Sequence, residues 1–92
     1  MTKIVINRRH GGFGLSPSAL ADYCARKGIA ETSVWDIARD DPDLVYIVET
    51  QGHQCWGTHA ELKVVEVPND VDWQIDEYDG IEWVAEKHRT WS

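Results

Sequence analysis

The chain predicts an α+β domain of element order β-α-α-β-β-β, with two helices packed on one face of a largely antiparallel sheet. Three observations carry this reading. Two segments open with a proline-first helix start and close on glycine, short β-branched runs occur at Lys3 to Ile6 and Glu61 to Val67, and Asp79-Gly80 joins two further strand-like segments. The sequence contains no internal repeat, low-complexity segment or interdomain linker, so residues 1–92 read as a single domain.

Lys3-Ile4-Val5-Ile6 is apolar on both faces, the pattern of a buried strand, and it ends near Asn7. Ser16 and Pro17 then start the first helix. The hydroxyl caps free amides, and proline at the first helical position forfeits no bond because its N–H would have had no partner. Leu20, Tyr23 and Cys24 share a face, and Gly28 supplies a left-handed stop after about Lys27. Asp41 and Pro42 repeat the start, Leu44, Ile47 and Val48 repeat the spacing, and Gly52 repeats the stop, giving a second helix over roughly 42–51. Val45-Tyr46-Ile47-Val48 also suits a strand, so both states stay open there. Glu61 to Val67, apolar on both faces and ended by Pro68, reads as a strand central in the sheet. A two-residue turn at Asp79-Gly80 sets Tyr78 opposite Ile81, Glu77 opposite Glu82, Asp76 opposite Trp83 and Ile75 opposite Val84. Facing carboxylates destabilise a sheet unless solvent or a cation intervenes, so that edge is expected to be exposed or engaged by a partner.

The formal net charge is −7. General binding to nucleic acid or to an anionic membrane draws its affinity from phosphates neutralised by Lys and Arg, and this charge argues against both. The distribution is uneven, with eight acidic and no basic residues between Glu66 and Glu86, while Arg8, Arg9 and His10 cluster near the start. No apolar run approaches the roughly eighteen residues of a membrane span, and nothing resembles a secretory signal. Cys24 and Cys55 therefore read as reduced thiols in a cytoplasmic protein.

Arg8-Arg9-His10-Gly11-Gly12-Phe13-Gly14 joins a strand to a helix N-terminus, an arrangement that many proteins use to hold phosphate. Arg8, Arg9, His10, Gly11, Gly12, Gly14 and Ser16 are the candidate phosphate ligands. The stretch lacks the lysine and spacing of a P-loop and the last glycine of a dinucleotide fingerprint, and its glycines equally suit a tight turn at positive φ. Among five tryptophans, Trp73 and Trp83 lie on hairpin strands, while Trp56 in a loop and Trp91 beside the C-terminus are candidates for base stacking or an interface. Asp76, Glu77, Asp79, Glu82 and Trp83 form a candidate acidic interface. His53, Cys55 and His59, with His10 or His88 as a fourth ligand, are a minor metal hypothesis, because their spacing matches no standard zinc module. No cofactor is expected. Tyr78, Glu77, Glu82, Glu86 and His88 offer acid and base chemistry but pair with no evident nucleophile, so no catalytic residue is assigned.

Lys3-Ile4-Val5-Ile6-Asn7 with Gly11-Gly12-Phe13-Gly14-Leu15-Ser16, and Glu77-Tyr78-Asp79-Gly80 through Ala85-Glu86-Lys87-His88-Arg89-Thr90-Trp91, resemble a family of small phage, prophage and bacterial proteins. Arg39 to Val45 and Glu61 to Glu66 are similar to it as well, so the resemblance covers most of the chain. It implies a setting and no catalytic assignment, and Arg8-Arg9-His10 is more basic than the family's pattern. In that setting the expected role is a binding protein that modulates host processes, including defence, in the host cytoplasm. Its first form sequesters a phosphate-containing nucleotide. Its second is an acidic inhibitor of a host protein that imitates nucleic acid, and its third is a small hydrolase or metal-dependent enzyme. A small domain rich in tryptophan also suits a homo-oligomer.

Overall fold

The computed structural model describes residues 1–87. The order is β1 (Thr2–Asn7), α1 (Pro17–Lys27), a 3-10 turn (Val34–Asp36), α2 (Pro42–Gln51), a second 3-10 turn (Gly52–Cys55), β2 (Leu62–Val67), β3 (Trp73–Tyr78) and β4 (Ile81–Glu86). The fold is α+β.

Both helices begin and end where their local chemistry dictates. The Ser16 hydroxyl accepts from the Ala19 amide, and Gly28 at φ 71° closes α1 in the left-handed conformation. Residues 42–51 are helix rather than strand, because the Asp41 carboxylate caps the Asp43 amide while Leu44, Val45, Ile47 and Val48 are all buried. Burial of that face outweighs the small helix penalty of its β-branched residues.

α2 lies on β1 and β2, and α1 packs against α2. Val5, Phe13, Leu15, Tyr23, Leu44 and Ile47 belong to one continuous core. Ile4 and Ile6 alternate to the other face of β1 and are equally buried, and β4 rests against β1.

The strands form two separate two-stranded antiparallel sheets, β1 with β2 and β3 with β4. This corrects the expectation of one sheet with the Glu61 to Val67 strand at its centre, since β2 pairs with β1 alone among the described residues. The cause lies on the outer edge of β1. The Val5 amide donates to the Arg39 carbonyl at 2.8 Å and the Asn7 amide to the Glu82 carboxylate at 2.8 Å, so those donors are already used where a third strand would need them. Within the hairpin, Tyr78 faces Ile81, Glu77 faces Glu82, Asp76 faces Trp83 and Ile75 faces Val84, as the two-residue turn predicts. Asp79 and Gly80 both have positive φ, 52° and 91°.

Candidate functional site

The hairpin contributes no residue to the core, and Glu82 alone of its side chains is buried. Glu82 accepts Nη1 of Arg39 on Oε1 at 2.5 Å and Nη2 on Oε2 at 2.9 Å, while Oε1 also receives the Asn7 amide. The Arg39 guanidinium lies 3.7 Å from the centre of the Phe13 ring. Arg39 thus neutralises Glu82, one member of the facing pair Glu77 and Glu82, from within the chain. Glu82 is therefore not part of an acidic interface, because at 5% exposure it is an internal ion-pair partner. Asn7 completes the seat. Its Nδ2 donates to the carbonyls of Arg9 at 2.6 Å and Gly80 at 2.7 Å, and its Oδ1 accepts from the Glu61 amide at 2.9 Å. One buried amide side chain ties β1, the glycine-rich loop, the hairpin turn and the approach to β2 together.

The glycine-rich loop packs under the hairpin turn. Gly11 and Gly12 have φ of 122° and 97°, and a Cβ on Gly80 would stand 2.6 Å from the Gly11 nitrogen and 2.7 Å from that of Gly12. The loop then runs antiparallel to the segment after α2. Gly11 lies against His59, the Gly57 amide donates to the Gly14 carbonyl at 3.0 Å, Leu15 pairs with Trp56, and the Ser16 amide donates to the Cys55 carbonyl at 2.9 Å. The Ser16 hydroxyl caps α1 and donates to the Gln54 carbonyl at 3.0 Å. Gly11 and Gly12 thus sit at the hairpin turn, Gly14 at Gly57, and Ser16 at Gln54 and Cys55, so the candidate phosphate ligands have separate neighbours.

Arg8, Arg9 and His10 are exposed. Arg8 Nη1 donates to the Glu82 carbonyl at 3.1 Å, and His10 Nδ1 lies 3.0 Å from the Asp79 carbonyl and 3.2 Å from its carboxylate. An open notch of about 340 Å³ adjoins the glycines, lined by Gly11, Gly12, Gly80, Trp35, Glu77 and Asp79. Two acidic residues in its lining and no basic one make it a poor seat for phosphate and a better one for a cation.

Cys55 is fully buried, its thiol donates to the Gly52 carbonyl at 3.0 Å, and burial pushes its pKa up. A thiol held protonated is neither a ready metal ligand nor a nucleophile. Among the described residues no three His, Cys, Asp or Glu side chains gather as a metal site, so His53, Cys55 and His59 are not brought together as one. Cys24 and Cys55 are both free thiols. Trp56 is half-buried and packs on the core. Trp91 and His88 lie outside the described residues.

Among the described residues the exposed aromatics are Trp35 at 77%, Tyr78 at 74%, Tyr46 at 50% on α2 and Trp83 at 41%. Strand alternation puts Gln74, Asp76 and Tyr78 on the same hairpin face as Ile81, Trp83 and Ala85, opposite the face that carries Glu82. Trp35 stands apart on the turn Val34–Asp36, between Val34, which packs on the core, and Ile37, which is buried. That flanking pair is the sequence signal for its outward position, and a count of tryptophans alone misses it. Among the described residues no helix is long and apolar enough to cross a membrane. Compared with protein-family models, with curated proteins and with solved structures, the chain matches none.

Proposed function

We propose that the chain is a binding protein whose β3–β4 hairpin engages a basic surface of a host protein, in the phage setting that its sequence resemblance implies. The observation that carries this reading is the outward hairpin face, where the exposed rings of Tyr78 and Trp83 stand with half-buried Asp76, while Asp79 is exposed at the turn and Glu77 is exposed on the reverse face beside it. Exposed aromatic rings supply the contact energy of an interface, and the carboxylates supply steering and partner choice. Seating by Arg39, Glu82 and Asn7 pre-organises the hairpin, which lowers the ordering cost of association. Like charge opposes self-association through this face, so a basic partner suits it better than a second copy.

The test compares immobilised wild type with a Tyr78→Ser/Trp83→Ser variant in bacterial lysate. A basic protein held by the wild type, released by salt and lost from the variant supports the reading. The same proteins on both columns would count against it.

Nucleotide sequestration is a second reading, and it draws on the adjacent, exposed Arg8 and Arg9. A nucleotide present at about a hundred times its Kd adds about 2.7 kcal/mol to stability, a rise of several degrees in the unfolding midpoint. A selective rise that Arg8→Ala/Arg9→Ala removes supports this reading, and no rise with any nucleotide rejects it.

A further inference from the structure

We infer that the notch between Trp35 and the hairpin turn holds an arginine side chain of the partner, an inference that rests on the protein-binding reading above and names what its acidic end recognises. The notch is lined by Trp35, which is 77% exposed, by the acidic residues Glu77 and Asp79, and by Gly11, Gly12 and Gly80, which carry no side chain. An exposed ring beside carboxylates fits a flat cation, which stacks on the ring while donating to oxygen at its edge.

The molecule uses this same combination twice internally. Arg39 lies 3.7 Å from the centre of the Phe13 ring while both its terminal nitrogens bond Glu82. Arg26 lies 4.1 Å from the centre of the Tyr46 ring while its Nε bonds Asp43 at 3.0 Å. Trp35 with Glu77 and Asp79 is a third grouping of aromatic ring and carboxylate, and no arginine fills it among the described residues. His10 meets Asp79, but it sits on the exposed side with its own side chain 64% accessible, and no described cation pairs with Glu77. The cross-strand neighbour of Glu77 is Glu82, whose charge is already met by Arg39. An incoming guanidinium therefore completes the charge balance of this hairpin end. Arginine is favoured over lysine because the planar guanidinium stacks and donates in a fork, whereas an ammonium is a compact and strongly hydrated point charge.

The experiment is an NMR titration of ¹⁵N-labelled wild-type protein with a tetra-arginine peptide, alongside its tetra-lysine and tetra-citrulline counterparts, citrulline being the neutral isostere of arginine. The arginine peptide should move the Trp35 indole N–H and the Gly11, Gly12 and Gly80 amides saturably. The citrulline peptide should leave them in place, and the lysine peptide should bind several-fold more weakly. Trp35→Ala should weaken the arginine peptide by about tenfold and Glu77→Gln by several-fold. Both positions are exposed, and the dispersion of the amide spectrum confirms that each variant is folded. Equal binding of the lysine and arginine peptides, undiminished binding by Trp35→Ala, or no movement of these resonances overturns the assignment. The lysate comparison with Tyr78→Ser/Trp83→Ser fails or succeeds separately, so loss of the notch and loss of the hairpin reading are distinguishable.

Discussion

Gly80 has two independent reasons to be glycine, a φ of 91° and backbone nitrogens of Gly11 and Gly12 within 2.7 Å of where a Cβ would stand. Gly28 has one, its φ of 71°, with open space around it. Gly28→Ala should therefore cost about 1 kcal/mol, the strain of a left-handed alanine, whereas Gly80→Ala should cost about 3 kcal/mol because backbone must also move. Urea unfolding of the two variants measures this, and equal losses would mean that the turn does not press on the loop. The positive φ of the turn was legible from Asp79-Gly80 because that signal is local. The roles of Asn7 and Arg39 were not, because their bonds to Glu82 span 75 and 43 positions. Contacts of that kind leave no periodic trace in a sequence. The same holds for the glycines at 11 and 12, whose composition suits a phosphate loop and a seat for another backbone equally well.

At the scale of elements, the junction of the two helices is an ionic clamp. The Tyr23 hydroxyl donates to Asp41 at 2.9 Å, Lys27 meets Asp41 at 3.0 Å and Asp43 at 2.9 Å, and Arg26 meets Asp43 at 3.0 Å. Burial opposes ionisation of Asp41, but Lys27, the Tyr23 hydroxyl and the Asp43 amide outweigh it and hold its pKa below the ordinary value. Asp43 is held low by its hydrogen bond with Lys27, against partial desolvation and with help from Arg26. Lys27 is raised, chiefly by Asp43 and then by Asp41. The depressed carboxylates contribute stability above the ordinary carboxylate pKa and lose it as pH falls through their folded values. The raised lysine contributes below its ordinary pKa and loses that contribution only in strong alkali. Asp41→Asn/Asp43→Asn should accordingly be less stable than wild type at neutral pH and lose less stability between about pH 5 and pH 2. Urea midpoints across that range measure it, and parallel curves would contradict it. Asn at position 41 can keep the cap to the Asp43 amide but turns its NH2 toward the Tyr23 hydroxyl and Lys27, so the pH dependence, rather than the loss at neutral pH, reads the charge.

The elements themselves were read from local rules with uneven success. Capping by Asp41 and Pro42 pointed to helix over 42–51, although Val45 to Val48 alone left strand open. The turn chemistry set the hairpin register. The single sheet was wrong because the outer edge of β1 is met by the Arg39 carbonyl and the Glu82 carboxylate, a loop and a side chain that strand patterns do not describe.

For the whole molecule, the dimensions are 47 × 28 × 21 Å with a radius of gyration of 13.7 Å, against about 12 Å for a compact chain of this length. The helices and the β1–β2 sheet hold the core, and the hairpin stands beside it, attached through Glu82, Arg39 and Asn7. Glu82→Ala leaves Arg39 without its partner in a largely buried position and should cost about 3 to 5 kcal/mol. Where the protein remains folded, amide exchange in β3 and β4 should rise well before exchange in α1 and α2. Uniform loss of protection would mean that the hairpin is part of the core unit rather than an attached arm. The acidity of this region was legible in the sequence. The removal of Glu82 from the surface and the approach of Trp35 to the hairpin turn were not, since both depend on how distant segments meet.

Whether the hairpin is an acidic, aromatic binding surface is tested by calorimetric titration of a partner retained from lysate, at about 0.05 M and 0.5 M salt, with wild type and with Tyr78→Ser/Trp83→Ser. Wild-type affinity should fall steeply with salt, and the variant should bind at least about tenfold more weakly at low salt. Affinity that is unchanged by salt and by loss of both aromatic side chains would contradict that role for the hairpin.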